Sequence, residues 1–149
     1  MGQKTLIIYE STHHGNTRKL VDAIAEAFPV DTAEISEAVK MDLNAYDRIG
    51  LASGIAFAKF YPDMEAFANE RLPEGKKVFF LYTCGKDTGR YASHIRKTVE
   101  GKGCQVLGVY GCPGFDTYVP FRLVGGISKG HPTEKEIQEA VDFYGALGE

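Results

Sequence analysis

The residues whose types and spacing could do chemistry are concentrated in "YESTHHGNTRKL", residues 9–20. Ser11, Thr12 and Thr17 carry hydroxyls, His13 and His14 imidazoles and Asn16 an amide, with Gly15 among them. They lie between an apolar run and a helix-like stretch. Backbone N–H groups at a helix N-terminus are free donors at the positive end of the helix dipole, and these side chains add more. Gly15 permits close backbone approach or a positive φ. The loop therefore suits an anion, above all a phosphate monoester, held by hydrogen bonds. Other anion motifs fit poorly: the Walker loop needs a lysine that is missing here, and the dinucleotide fingerprint GxGxxG needs more than one glycine. An ordinary polar cap needs one hydroxyl rather than four donors. A metal held by His13 and His14 lacks a third ligand, and neighbouring side chains point apart.

Five short apolar runs must position this loop: "KTLIIYE" (4–10), "VDTAEIS" (30–36), "DRIGLASG" (47–54), "KKVFFLYT" (76–83) and "CQVLGVYG" (104–111). Four are near-continuous, as strands covered on both faces should be; the second alternates apolar and polar, which suits an edge. Helical stretches separate them. Leu20, Val21, Ile24, Ala25 and Phe28 make one apolar face; Met64, Phe67, Ala68 and Leu72 make another after Pro62. Ala92, Ile95 and Val99 precede Gly101, which is placed as a C-cap. A last helix starts at Thr133 with a capping box to Glu136 and a stripe of Ile137, Ala140, Val141, Tyr144 and Leu147. Residues 42–47 allow only a turn or two. This alternation predicts one α/β domain over 1–149, a doubly wound five-stranded parallel sheet with helices on both faces. Ligands bind such sheets beyond the carboxyl ends of the strands, so the loops after the first, third and fourth strands are the places to look. A phosphoacceptor site there would need paired acids after the first strand and an Asp after the third. Those positions hold Glu10 alone and Ser53.

With this frame the chain resembles the flavodoxin family, whose opening loop reads T/S-x-T-G-x-T. "THHGNT" matches it at Thr12, Gly15, Asn16 and Thr17, and departs from it at His14, where the family usually carries a hydroxyl. The resemblance implies an FMN cofactor and the strand order 2-1-3-4-5, for which flavodoxin itself is the type case.

The resemblance also gives the other two loops a role around the flavin ring. In "LASGIAFAKFYPD" (51–63), Ser53, Gly54 and Ala56 are small residues for backbone contact, and Ile55 and Phe57 are apolar covers. Ile55 takes the place where flavodoxins often have Trp over the inner ring face. Ala56 stands where the family usually has Gly, at a peptide that turns over to meet the reduced flavin N5–H; its Cβ penalises a positive φ. In "YTCGKDTGRY" (82–91), Thr83, Cys84 and Gly85 offer backbone donors to the ring's carbonyl edge. Tyr91 is a candidate for the outer face, with a half-buried helix residue as the alternative. Nearby charges are mixed: Asp63, Glu65 and Asp87 against Lys59, Lys86 and Arg90.

The connection over 111–132 is long for a compact domain, and connections of that length often serve function. Phe115, Asp116 and Phe121 on it are placed to shield the ring or meet a partner; a cover that only completes the core is the other reading. The cysteines Cys84, Cys104 and Cys112 have no CxxC spacing, so they read as reduced, buried thiols in a cytoplasmic protein. Net charge is −3, without the basic stripe that nucleic acid needs, and no apolar stretch reaches membrane-span length. Three functions follow. An FMN electron carrier, working as a monomer between redox protein partners, needs no catalytic side chain of its own. A small FMN-dependent reductase or oxidase would act on a quinone-like substrate beside the ring. A binding module that had lost its flavin fits poorly with the intact "HHGNT" and "GIAF".

Overall fold

Leu6, Ile7 and Ile8 are wholly buried, yet they belong to two different cores. Alternate side chains of a strand point to opposite faces, so β1 (Thr5–Glu10) must be covered on both sides. The computed structural model describes residues 4–10, 15–85, 89–113 and 132–148. Its other strands are β2 (Asp31–Glu34), β3 (Arg48–Ala56), β4 (Lys59–Phe60), β5 (Lys77–Cys84) and β6 (Gln105–Pro113). The helices are α1 (Asn16–Ala27), α2 (Ile35–Ala38), α3 (Pro62–Glu70), α4 (Ser93–Gly101) and α5 (Glu134–Ala146). A single 3-10 turn, Leu43–Ala45, occupies the stretch too short for a helix.

The strands run in the order β2-β1-β3-β5-β6, all parallel, with β4 paired antiparallel to the end of β3. Leaving β4 aside, this is the doubly wound order 2-1-3-4-5. One face carries α1 and α5, whose Leu20, Val21, Ile24, Ala140 and Tyr144 pack on Ile7, Tyr9, Phe79 and Leu81. The other face is covered by α3 and α4, with Met64, Phe67, Ile95 and Val99 against Leu6, Ile8, Leu51 and Phe80. Burying a large aliphatic side chain stabilises by about 1.5–3 kcal/mol, and this sandwich of three layers buries them on both sides of every central strand.

Local signals hold in detail. Thr133 Oγ1 accepts from the Glu136 amide at 3.2 Å, while the Thr133 amide donates to Glu136 Oε1 at 2.7 Å, closing the capping box of α5. Some features differ from the sequence expectation, beginning with the second run, whose Ile35 and Ser36 belong to α2 rather than to the strand. Gly101 is the last residue of α4, and the left-handed position is Gly103 at φ 76°. β6 is half-buried rather than covered throughout, and among the described residues it forms the sheet edge opposite β2. β4 is an addition, made when the chain leaving β3 turns back on itself.

At the amino ends of the strands lies a buried cation. Arg48 donates from Nε to Thr5 Oγ1 at 3.3 Å and from a terminal nitrogen to the Gly148 carbonyl at 2.7 Å. Its guanidinium carbon sits 5.1 Å from the centre of the Tyr144 ring, whose hydroxyl in turn donates to Thr5 Oγ1 at 3.0 Å. The base of β3 is thus tied to the end of α5.

Candidate functional site

Strand register assembles the site at the carboxyl edge. Glu10, Ser53 and Tyr82 lie in one row across β1, β3 and β5; Gly54, Thr83 and Cys112 lie in the next, across β3, β5 and β6. The amino end of α1 stands at the same edge, since it follows β1. Of the opening loop, Ser11, Thr12, His13 and His14 lie outside the described residues. Gly15 caps α1 in the left-handed conformation, φ 65°, a backbone state that costs glycine nothing. The space where a Cβ would stand on Gly15 is open.

Asn16 and Thr17 are buried at the start of α1, and the first turn holds no acidic residue. The first amides of a helix have no intrahelical acceptor. Two buried polar residues, the positive end of the helix dipole and no carboxylate in the turn make a setting that suits an anion and penalises a cation. Thr17 Oγ1 lies 2.8 Å from Thr83 Oγ1, so the hydroxyl end of α1 is bonded to the last turn of the β5 ladder.

The second loop is a hairpin. Ile55 pairs with Phe60 and Ala56 with Lys59, leaving Phe57 and Ala58 as a two-residue turn. Both have positive φ, 54° and 64°, as a type I′ turn requires, though neither is the glycine or asparagine such turns favour. The positive φ in this loop therefore falls on the two residues after Ala56, and Ala56 itself is strand. Phe57 is 80% exposed at the tip, whereas Ile55 and Ala56 are half-buried. Ser53, fully buried, donates to the Gly54 carbonyl at 2.6 Å and accepts from the Tyr61 amide at 3.1 Å. A Cβ on Gly54 would stand 2.6 Å from the Tyr61 hydroxyl, so only glycine lets that ring lie across β3. Tyr61 was missed from sequence; its place directly before Pro62, on the helix-opening end of the loop, was the available signal.

In the third loop Thr83 and Cys84 are buried and Gly85 is half-buried, while Lys86 and Asp87 lie outside the described residues. Tyr91 is half-buried, edge-on to Tyr82 with ring centres 5.9 Å apart. Tyr82 also meets Phe60 at 6.1 Å, so Tyr91 forms the outer member of an aromatic cluster beneath the loops. Phe115, Asp116 and Phe121 lie outside the described residues. The three cysteines are buried and none is in a disulfide.

The charges at this edge are partly committed. His94 Nδ1 is 2.5 Å from Glu65 Oε1, bridging α3 and α4, and Glu65 Oε2 is buried without a hydrogen-bond partner. Burial pushes the Glu10 carboxyl up from its ordinary 4.5, and the nearby Asp63 and Glu34 carboxylates add to that. Among the described residues no helix is long and apolar enough to cross a membrane.

Comparison with known proteins agrees with this geometry. Residues 6–112 match the model of the flavodoxin domain. The chain is 35% identical over 142 residues to the uncharacterized protein MJ0298 of Methanocaldococcus jannaschii, covering 94% of this chain and 95% of that one. Its structure is similar to that of a flavodoxin from the domain Archaea, with TM-score 0.67 and 20% identity over 97% of this chain and 98% of the other. It is also similar to general stress protein 14 of Treponema denticola, solved in complex with FMN, with TM-score 0.66, 12% identity, and 99% and 100% covered. A doubly wound parallel sheet of this order, with helices on both faces, defines a flavodoxin-like α/β fold. The chain belongs to the flavodoxin family.

Proposed function

We propose that this protein binds FMN and serves as an electron carrier between larger redox proteins. The amino end of α1 carries the reading: a glycine cap, two buried polar residues and no acid in the first turn. Residues of the opening loop, Ser11, Thr12, His13, His14, Gly15, Asn16 and Thr17, hold the phosphate. Ser53, Gly54, Ile55, Ala56 and Phe57 flank one side of the ring; the backbones of Thr83, Cys84 and Gly85 meet its polar edge, and Tyr91 its other face. The complex of general stress protein 14 with FMN supports the choice of cofactor. FMN, when bound, supplies the electron storage. The chain orients it, excludes water from its apolar faces and offers backbone hydrogen bonds along its edge.

The carrier works as a monomer of one domain in the cytoplasm, where the three free thiols stay reduced. Purified protein should be yellow, and stripped protein should quench added FMN fluorescence with one site per chain. Colourless protein that leaves FMN fluorescence unchanged would sink the proposal. Steady oxidation of NAD(P)H with turnover, in the absence of a protein partner, would replace the carrier by the reductase.

A further inference from the structure

We propose that Thr83 is a positioning residue for the phosphate: its hydroxyl donates to Thr17 Oγ1 and thereby turns the Thr17 proton toward an anion at the amino end of α1. This rests on the FMN reading above.

The two oxygens are 2.8 Å apart, and the side chains are 1% and 4% exposed. Two hydroxyls carry two protons, and their mutual bond uses one. The pair therefore presents a single remaining donor, and its direction depends on which threonine gives. If Thr17 gives, the free proton belongs to Thr83 and points away from the helix. If Thr83 gives, the free proton belongs to Thr17. A threonine inside a helix can instead donate to the carbonyl three or four residues back. Thr17 is the second residue of α1, and the partner its hydroxyl shows among the described residues is Thr83.

An anionic oxygen is a stronger acceptor than a hydroxyl, and a charge-assisted bond is roughly twice as strong as a neutral one. A phosphate at the helix end therefore selects the arrangement in which Thr83 gives and Thr17 faces outward. Burial keeps water from competing for either hydroxyl. Thr83 sits near the end of the inner strand β5, in register with Gly54 and Cys112, so the donor is held by the sheet. The phosphate end of the site is in this way coupled to the loop after β5.

Affinities of stripped protein for FMN and for riboflavin, which lacks the phosphate, test this by fluorescence quenching. Thr83→Val keeps the shape and removes the donor. It should weaken FMN roughly five- to tenfold while changing riboflavin by less than about twofold. Thr83→Ser should restore the FMN value. Adding Thr83→Val to Thr17→Val should cost no further FMN affinity, because the relay ends at Thr17. Should Thr83→Val fail to fold, Thr83→Cys, a poor donor of similar size, takes its place with the same expectation. If FMN and riboflavin weaken equally, or if the two valine substitutions add, the relay is overturned while the cofactor assignment stands. Wild-type protein that binds neither flavin overturns both.

Discussion

The amide of Tyr61 donates to the hydroxyl of Ser53 at 3.1 Å, across the mouth of the β3–β4 hairpin. That hydroxyl donates in turn to the Gly54 carbonyl at 2.6 Å. One buried side chain thus bonds two backbone groups where the chain changes direction.

Ser53→Ala should therefore cost about 1–3 kcal/mol, since it removes two hydrogen bonds to backbone groups at a buried position. Urea unfolding measures the loss. Hydrogen exchange should quicken at the Tyr61 amide more than at amides of β1, and a uniform change across the sheet would contradict the local account.

The hairpin itself explains part of what the sequence concealed. Two-residue turns with positive φ at both positions favour Asn-Gly, and Phe57-Ala58 has none of that chemistry. Nothing in "GIAFAKF" announced β4. Elsewhere local signals agreed with the fold. Leu20, Val21 and Ile24 at helical spacing found one face of the sheet, and the Thr133–Glu136 box began α5 where expected. The expected cap at Gly101 was displaced, because a glycine two residues later, Gly103, can equally take the left-handed position and only the realised dihedrals decide. Of the candidate site, the residues at strand ends were legible, since continuous apolar runs fix where strands stop. Contacts between distant segments were not: Thr17 with Thr83 and Ser53 with Tyr61 follow from register, which one chain's periodicity does not specify.

Holding Phe57 and Ala58 at φ 54° and 64° strains both residues, since each Cβ crowds the following carbonyl. Ala58→Gly should raise stability by roughly 0.5–1 kcal/mol, the relief exceeding glycine's extra freedom in the unfolded chain. Thermal or urea unfolding of the stripped protein reads it. A loss of stability would mean that the turn is not of the type I′ form.

Arg48 is buried beside Tyr144 and bonded to the Gly148 carbonyl at 2.7 Å. A lysine retains the charge but not the planar fork that reaches Thr5, Tyr144 and Gly148 together. Arg48→Lys should destabilise by about 1–3 kcal/mol, as expected when hydrogen bonds to a buried charged group are lost. The end of α5 should loosen first, seen as faster amide exchange over residues 144–148. Unchanged exchange there would contradict the anchoring role.

Glu10 supplies the pH dependence at the carboxyl edge. Burial, with Asp63 and Glu34 nearby, favours its protonated form, so its folded pKa lies above the ordinary 4.5. A raised carboxyl contributes stability that is fully present below the unfolded value and is lost as pH rises through the folded value. Between pH 4.5 and that raised value the wild type should lose this contribution, and at pH 7 the ionised Glu10 should be a net burden. Glu10→Gln mimics the protonated form and should be more stable than wild type at pH 7, with the difference shrinking as pH falls toward 4.5. Melting temperatures of both proteins across that range check the sign. A glutamine variant less stable than wild type at pH 7 would show that the ionised Glu10 is held by a favourable partner, and the burial account of its pKa would fail.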